Sequence, residues 1–510
     1  MVALAHAQES HIGKTILILP FENMSAAPGL EWVSESFPEV LGEKLASANR
    51  LIIGREDRLY ALDRLGVPAG ARLSRATIYS LAQQMDVDYV IFGSYDFDGQ
   101  TFKANAQLLQ MDRLRLSALQ VQSGPLTNLL EVERALSWDV LRLFDPQLAV
   151  SRNDFVSASR NVRLDAFENY VRGISAGNQD EAIPRLRKAV QLDPAYTQAI
   201  FQLGKAYYRE KKYTDAAAWL RRVPRQDLLA PEANYYLGMA AYYSGDLPAA
   251  QSAFEFVATR LPLMEVYNNL GVVKSRRGQK DATDYFRRAS LDDPQDADYH
   301  FNLAVALCRT GDHAGCQAEL RQTLALRPAD HEARAFSDTL SAHPNMAALK
   351  LPLERIKSNY DENSFRQLAL VIDNVREERL ANAGAAAHAQ FHLQRGRELL
   401  TQGFVVESAK EFREAVKLDP ANAAAHLLLA RALDGSGALA EAHAEGEIAA
   451  KLRPSAEAYL LLGSLDLKSD HPQLAAQRAE QALALEPANA AALALRTAAS
   501  ERLSGKVVHP

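Results

Sequence analysis

The chain lacks most of what would make an enzyme, a nucleic-acid binder or a membrane span. Its 57 Lys and Arg do not outnumber its 63 Asp and Glu, and with a net charge of −6 it has no electrostatic footprint for a phosphate backbone. No run of about 18 apolar residues is available to cross a bilayer. The phosphate-cradling G-x-x-x-x-G-K-[ST], the zinc-binding H-E-x-x-H, the nucleophile motif S-x-x-K, and C-x-x-C are all missing. The 12 histidines form no pair at ligand spacing beside a carboxylate. These absences argue against an enzyme and against a metal or other cofactor. Cysteine is almost absent too. Cys308 and Cys316 are the only two, eight residues apart across a turn containing Gly311 and Gly315. They read as small core residues, or as a disulfide closing that turn if the protein is exported.

What is present is a repeat. In residues 421–487 the small residue after a leucine (Ala430, Gly463) precedes the next small residue (Ala442, Ala475) by 12 positions and a closing proline (Pro454, Pro487) by 24. Two apolar stripes with a polar break every 33 or 34 residues describe a helix-turn-helix unit that buries its apolar face only by stacking on its neighbours. At 510 residues the chain exceeds an ordinary single core, and the repeat points to a solenoid.

The same spacing recurs upstream. Gly173, Ala182 and Pro194 mark a first unit shortened in its turn, and Gly204, Tyr207, Ala216 and Leu220 a second. Gly238, Ala250, Phe254 and Pro262 mark the third, Gly271, Ala282, Phe286 and Pro294 the fourth, and Ala304, Cys316, Leu320 and Pro328 the fifth. His331 to Leu340 fits half a unit. Pro344 and Pro352 then break the pattern, and Phe365, Leu368, Ile372 and Val375 resume a helical stripe without the repeat spacing, so 341–385 reads as a helical joint at which two superhelical segments meet at an angle. Gly396, Ser408, Phe412 and Pro420 restart the repeats, and Ala491 to Leu503 would cap the end.

Ahead of the repeats, Thr15–Leu19, Leu51–Ile53 and Asp88–Tyr95 read as strands. Asp98-Gly99 is a hairpin signal, and the alternation Phe102, Ala104, Ala106, Leu108 predicts a half-buried strand after it. The alternation slips near Ala118 and Leu119, as a bulge would cause. With helices over 33–48 and 126–144, this predicts a mixed α/β domain of about five strands over 14–146. The fold class is therefore an α/β head followed by an all-α solenoid in two arrays, 163–340 and 386–503. Residues 1–13, with Ala5-His6-Ala7, read as an unstructured end or the remnant of an export signal.

These residues resemble two families. The repeats are similar to the tetratricopeptide repeat (TPR). The stretch Ile18-Leu19-Pro20-Phe21-Glu22-Asn23-Met24-Ser25 with Glu31-Trp32, and later Asp88-Tyr89-Val90-Ile91-Phe92-Gly93-Ser94, resembles the TolB amino-terminal-like domain. The resemblances imply a non-enzymatic scaffold that binds protein or extended-peptide partners on the concave repeat surface, in a bacterial envelope or regulatory assembly. A sensory input module of a signalling system is the alternative. Export to the periplasm is expected, with the cytoplasm as the alternative.

In such arrays the residue two before the small one faces the groove. Gln202, Tyr236, Asn269 and Asn302 hold that register, with Asn269 and Asn302 one repeat apart. An amide both donates and accepts, so successive asparagines could grip a peptide backbone whatever its side chains. In the second array the register falls on Gln394, Leu428 and Leu461, and the ladder fades. Tyr207, in a cluster of six tyrosines, and Lys274, in a basic run through the fourth unit, complete the candidate partner-binding set.

Overall fold

A computed structural model of the protein describes residues 14–46, 50–146, 148, 151–157, 160, 162–342, 351–363, 384–401 and 404–504. The chain divides into two units, one made of 15–45 and 52–367, the other chiefly of 368–510.

The head is built on a seven-stranded sheet. Strand β1 (Lys14–Ile18) pairs parallel with β4 (Tyr89–Phe97), Ile16 opposite Tyr89 and Ile18 opposite Ile91. β2 (Glu22–Asn23) pairs with the far end of β4. After β3 (Arg50–Ile52), the Ile53 N–H donates to the Ile16 carbonyl at 2.9 Å. Strand β4 turns through Asp98-Gly99 into the antiparallel β5 (Phe102–Gln110), the Asp98 carboxylate accepting the Gln100 and Thr101 N–H groups at 2.9 and 2.8 Å. Phe102, Ala104 and Ala106 are fully buried while Lys103 is exposed, the period of two read from the sequence. β6 (Arg115–Leu116) and β7 (Gln120–Gly124) both pair with β5. Leu116 lies opposite Leu109 but Gln120 opposite Ala106, so one strand spends an extra residue: this is the bulge. The sheet exceeds the expected five strands because β2 and β6 are two-residue pieces without a periodic signature.

Helices cover both faces. Val33–Leu45 and Leu129–Phe144 bury Phe37, Leu41, Leu136 and Val140 against Ile16, Ile18, Tyr95 and Phe102. Arg55–Arg64 and Arg75–Gln84 bury Leu62, Ile78 and Leu81 against Leu17, Leu19 and Val90. Gly93 lies within β4, and a Cβ there would sit 1.9 Å from the Asn105 carbonyl oxygen and 2.6 Å from the Phe21 ring, so no side chain fits.

The first array is not separate from the head. Trp32 meets Phe167 edge to face with centroids 6.0 Å apart, the Tyr170 hydroxyl donates to Glu39 Oε2 at 2.6 Å, and one apolar cluster continues from the sheet into the first repeats. Five helix pairs follow among the described residues: Leu164–Ser175 with Gln179–Leu192, Thr197–Arg209 with Tyr213–Leu220, Ala230–Ser244 with Leu247–Ala258, Met264–Arg276 with Ala282–Asp292, and Ala297–Thr310 with His313–Leu326. The single helix His331–Ala342 completes the array. The repeat's small residue has a steric cause. A Cβ on Gly238 would stand 2.7 Å from the Phe254 ring and one on Gly271 2.8 Å from Phe286, so in these two repeats the first helix presents a notch into which the second helix's aromatic ring fits, as Leu186 and Leu220 fit against Gly173 and Gly204.

In the other unit, Ala385–Thr401 pairs with Val405–Leu418, Ala423–Gly435 with Leu439–Leu452, and Ala456–Lys468 with Pro472–Leu485, before the last helix Ala490–Leu503. Ala430, Ala442 and Ala475 are fully buried.

One part of the expected joint departs from that reading: residues 351–361 carry no helix and run as an extended strap against the first array. Pro344 and the apolar stripe at Phe365–Val375 lie outside the described residues, as do residues 1–13 with Ala5-His6-Ala7.

Candidate peptide-binding groove

The groove is lined by the first helices of the third, fourth and fifth repeats, whose Tyr235, Asn269 and Asn302 contact residues 351–361. Asn269 and Asn302 are fully buried, and what buries them is the strap. The Asn302 side-chain amide donates to the Arg355 carbonyl at 2.6 Å and its Oδ1 accepts the Arg355 N–H at 2.6 Å. One repeat earlier, Asn269 Nδ2 donates to the Lys357 carbonyl at 2.7 Å and Oδ1 accepts the Lys357 N–H at 2.8 Å. Each asparagine closes a two-bond ring on one residue's backbone, and the two rungs engage alternate residues, the period of an extended chain.

Two neighbours reinforce the rungs. Asn268 Nδ2 donates to the Arg355 carbonyl at 2.9 Å, and its Oδ1 accepts from Asn302 Nδ2 at 2.7 Å. The Tyr235 hydroxyl donates to the Lys357 carbonyl at 2.6 Å. Neither is marked by the repeat register, which picks out one groove position per unit; both immediately precede a marked position, at Asn269 and Tyr236, and that adjacency is the signal the sequence carries.

The strap's side chains sort by parity. Glu354 is fully buried at its side chain, held by Ser275, Arg309 and, at 3.4 Å, Arg276. Ile356 points the same way and packs on the cluster around Tyr235, Met239 and Val266. Arg355 meets an acidic wall: its guanidinium lies 2.6 and 2.8 Å from the Asp330 oxygens, 2.9 Å from Asp298 and 2.8 Å from Glu332, and stacks 3.7 Å from the Phe301 ring centroid. Lys357 Nζ lies 2.6 Å from Asp296 and 2.8 Å from Asp298. Burial alone would raise the Asp298 pKa, but hydrogen bonds from Arg327, Lys357 and Arg355 outweigh it and hold the carboxyl far below the usual carboxylate range. The hydrogen bonds from Arg355 hold Asp330 down as well, against a smaller effect of burial.

The other candidates fall elsewhere. Gln202 and Tyr236 are half-buried at the earlier end of the groove, Tyr236 with Lys205 Nζ 4.9 Å from its ring centroid. Tyr207 is in the inter-helix core, 9% exposed, because its helix buries that face against the second helix of its own unit. Lys274 is not a free charge: it is 7% exposed and held by Asp281 at 2.8 Å within its own repeat. Of the basic run, Arg276 is the residue that reaches the strap. In the other array Gln394 is exposed, and Leu428 and Leu461 are half-buried. Cys308 and Cys316 form a disulfide across the fifth repeat's turn, with Cα atoms 5.3 Å apart.

The histidines are less scattered than their spacing suggests. Nδ1 of His300 lies 2.6 Å from Glu319, that of His392 2.8 Å from Glu411 and that of His426 2.6 Å from Glu445, a fixed separation of 19 residues that joins the two helices of a unit. Each carboxylate has a single histidine partner, and no group of three potential metal ligands occurs among the described residues. No helix there is long and apolar enough to cross a membrane.

A stack of helix pairs with a polar inner face is an α-solenoid repeat. Tetratricopeptide-repeat family models match residues 174–241 and 393–457, so both arrays carry tetratricopeptide repeats. No curated protein matches the sequence. Among solved structures, YrrB, a TPR protein with an unusual peptide-binding site, is 19% identical over 34% of this chain and 93% of its own, with a TM-score of 0.32. MamA is 22% identical over 29% of this chain and 89% of its own, with a TM-score of 0.29. The first TPR of Spaghetti (RPAP3), solved with the HSP90 peptide SRMEEVD, is 22% identical over 24% of this chain and 99% of its own, with a TM-score of 0.23.

Proposed function

We propose that the protein is a non-enzymatic scaffold whose first array holds an extended segment of a protein partner by its backbone. The observation that carries this reading is the pair of two-bond rings made by Asn269 and Asn302, a grip that needs an extended main chain and no particular side chain at the gripped residue. Resemblance of the head to the TolB amino-terminal-like domain supports a bacterial envelope setting, and the Cys308–Cys316 disulfide supports export to an oxidising compartment such as the periplasm.

The test is a partner recovered from native extract and titrated calorimetrically against the full chain. Losing a buried hydrogen bond whose other member stays unpaired costs about 1 to 3 kcal/mol. Because Asn269 and Asn302 also hold residues 351–361, the comparison is made with Arg355→Glu and Lys357→Glu already in place, where Asn269→Ala with Asn302→Ala should weaken binding at least about tenfold, with circular dichroism unchanged. Unaltered affinity would put the binding surface elsewhere.

A further inference from the structure

The groove of the first array already holds a ligand, and it belongs to this chain. Nothing in the strap's own backbone stabilises it: residues 351–361 form no helix and no strand, and the main chain at Arg355 and Lys357 is satisfied by side chains 53 to 122 residues away in sequence. Leu351 packs on the cluster around Phe301 and Leu303, Pro352 restricts the residue before it to extended backbone, and Tyr360 lies 5.2 Å from Tyr235. The strap thus enters at the fifth repeat and leaves toward the third.

Its side chains fill sites of defined chemistry. Glu354 occupies a closed basic pocket of Arg276 and Arg309, Ile356 an apolar one, and Arg355 and Lys357 the carboxylates of Asp296, Asp298, Asp330 and Glu332. Removing the strap would leave four carboxylates without these cations and would bare the asparagine amides. Carboxylates so close together repel one another, and bare buried amides lose their partners. A vacated groove therefore demands a chain of the same pattern.

We propose that residues 351–361 are a resident, displaceable occupant, and that the partner is a protein carrying an extended acidic-Arg-aliphatic-Lys segment that competes for the same rungs and pockets. This rests on the scaffold reading above and gives its partner a chemistry. A tethered segment acts at a high effective concentration, so it sets a threshold that an outside segment must exceed.

The probe is a fluorescein-labelled synthetic peptide of the sequence from Leu351 to Asp361, titrated by fluorescence polarisation into the full chain. Arg355→Glu with Lys357→Glu sets the strap against the acidic wall without altering the groove. That variant should bind the probe at least about tenfold more tightly than the wild-type chain. Adding Asn269→Ala and Asn302→Ala should remove the gain. In the unaltered chain, excess probe should accelerate amide exchange at Arg355 and Lys357, a readout that needs no substitution. Equal affinity of the two chains, together with exchange indifferent to the probe, would make the strap a permanent part of the fold and overturn the proposal. A gain that survives loss of both asparagines would contradict the backbone grip while leaving displacement intact. A concentration-dependent dimer formed by the strap variant or the wild type, with no probe binding, would assign the groove to a second copy and also overturn it.

Discussion

At the scale of single residues, the strap rests on cations set among carboxylates, and its pH dependence has a definite sign. Asp298 and Asp330 have folded-state pKa values below their ordinary ones, so the stability they supply is complete above the ordinary aspartate value of about 3.9 and is lost as pH falls toward the depressed values. Arg327 and Lys357 face Asp298 from the remaining sides, and Asp296 and Glu332 complete the wall. Amide protection factors at Arg355 and Lys357, corrected for intrinsic exchange, should be flat from pH 7 to about 5 and fall below about 4. A decline beginning near pH 6.5 would implicate histidines instead. Asn269 and Asn302 are legible in the sequence because the repeat spacing fixes which face of a helix looks inward. The roles of Glu354, Arg355 and Lys357 are not: their partners are supplied by residues far away in sequence, and no local periodicity marks them. The prolines and the apolar stripe further on make 351–361 read as part of a helical joint; the parity of Glu354 and Ile356 against Arg355 and Lys357 is the trace of an extended chain.

At the scale of elements, the repeat is a lock between a notch and an apolar side chain, a ring in the third and fourth repeats. Gly238 and Gly271 meet Phe254 and Phe286 closely enough that an added methyl group must push the ring aside. Gly271→Ala exchanges a helix-propensity gain of about 1 kcal/mol for overpacking that typically costs about 1 to 3 kcal/mol, so the variant should unfold at a lower temperature than the wild type by calorimetry. A raised melting temperature would mean that the ring relaxes freely and that the spacing of small residues has another cause. This lock is also why the repeats are readable: the constraint is local, recurs at a fixed interval and leaves a mark in composition. The histidine–glutamate contacts recur as regularly, at 19 residues, but link two polar residues on different helices, and a search for metal-ligand spacing passes over them. In the head, β4 and β5 are visible through alternation, whereas β2 and β6 are too short to have a period.

At the scale of the whole molecule, the unit that contains the head also contains the groove and its occupant, so a partner engaging the groove works on a body that includes the sheet. The proposed envelope setting makes a separate prediction. Protein purified from its native compartment and denatured without reductant should show almost no titratable thiol, because both cysteines are bridged; two free thiols would remove the disulfide and weaken the case for export. The central claim, that Asn269 and Asn302 hold an extended main chain, is tested most directly by hydrogen exchange resolved at Arg355 and Lys357. Those two N–H groups donate to the asparagine oxygens, at 2.6 and 2.8 Å. In the wild-type chain both amides should be protected despite lying outside any helix or strand. In Asn269→Ala with Asn302→Ala they should exchange at least about tenfold faster, while the helices of the fourth and fifth repeats keep their protection, since a lost hydrogen bond of about 1.4 kcal/mol corresponds to that factor. Amides that exchange freely in the wild type, or that stay equally protected without the two asparagines, would contradict the account.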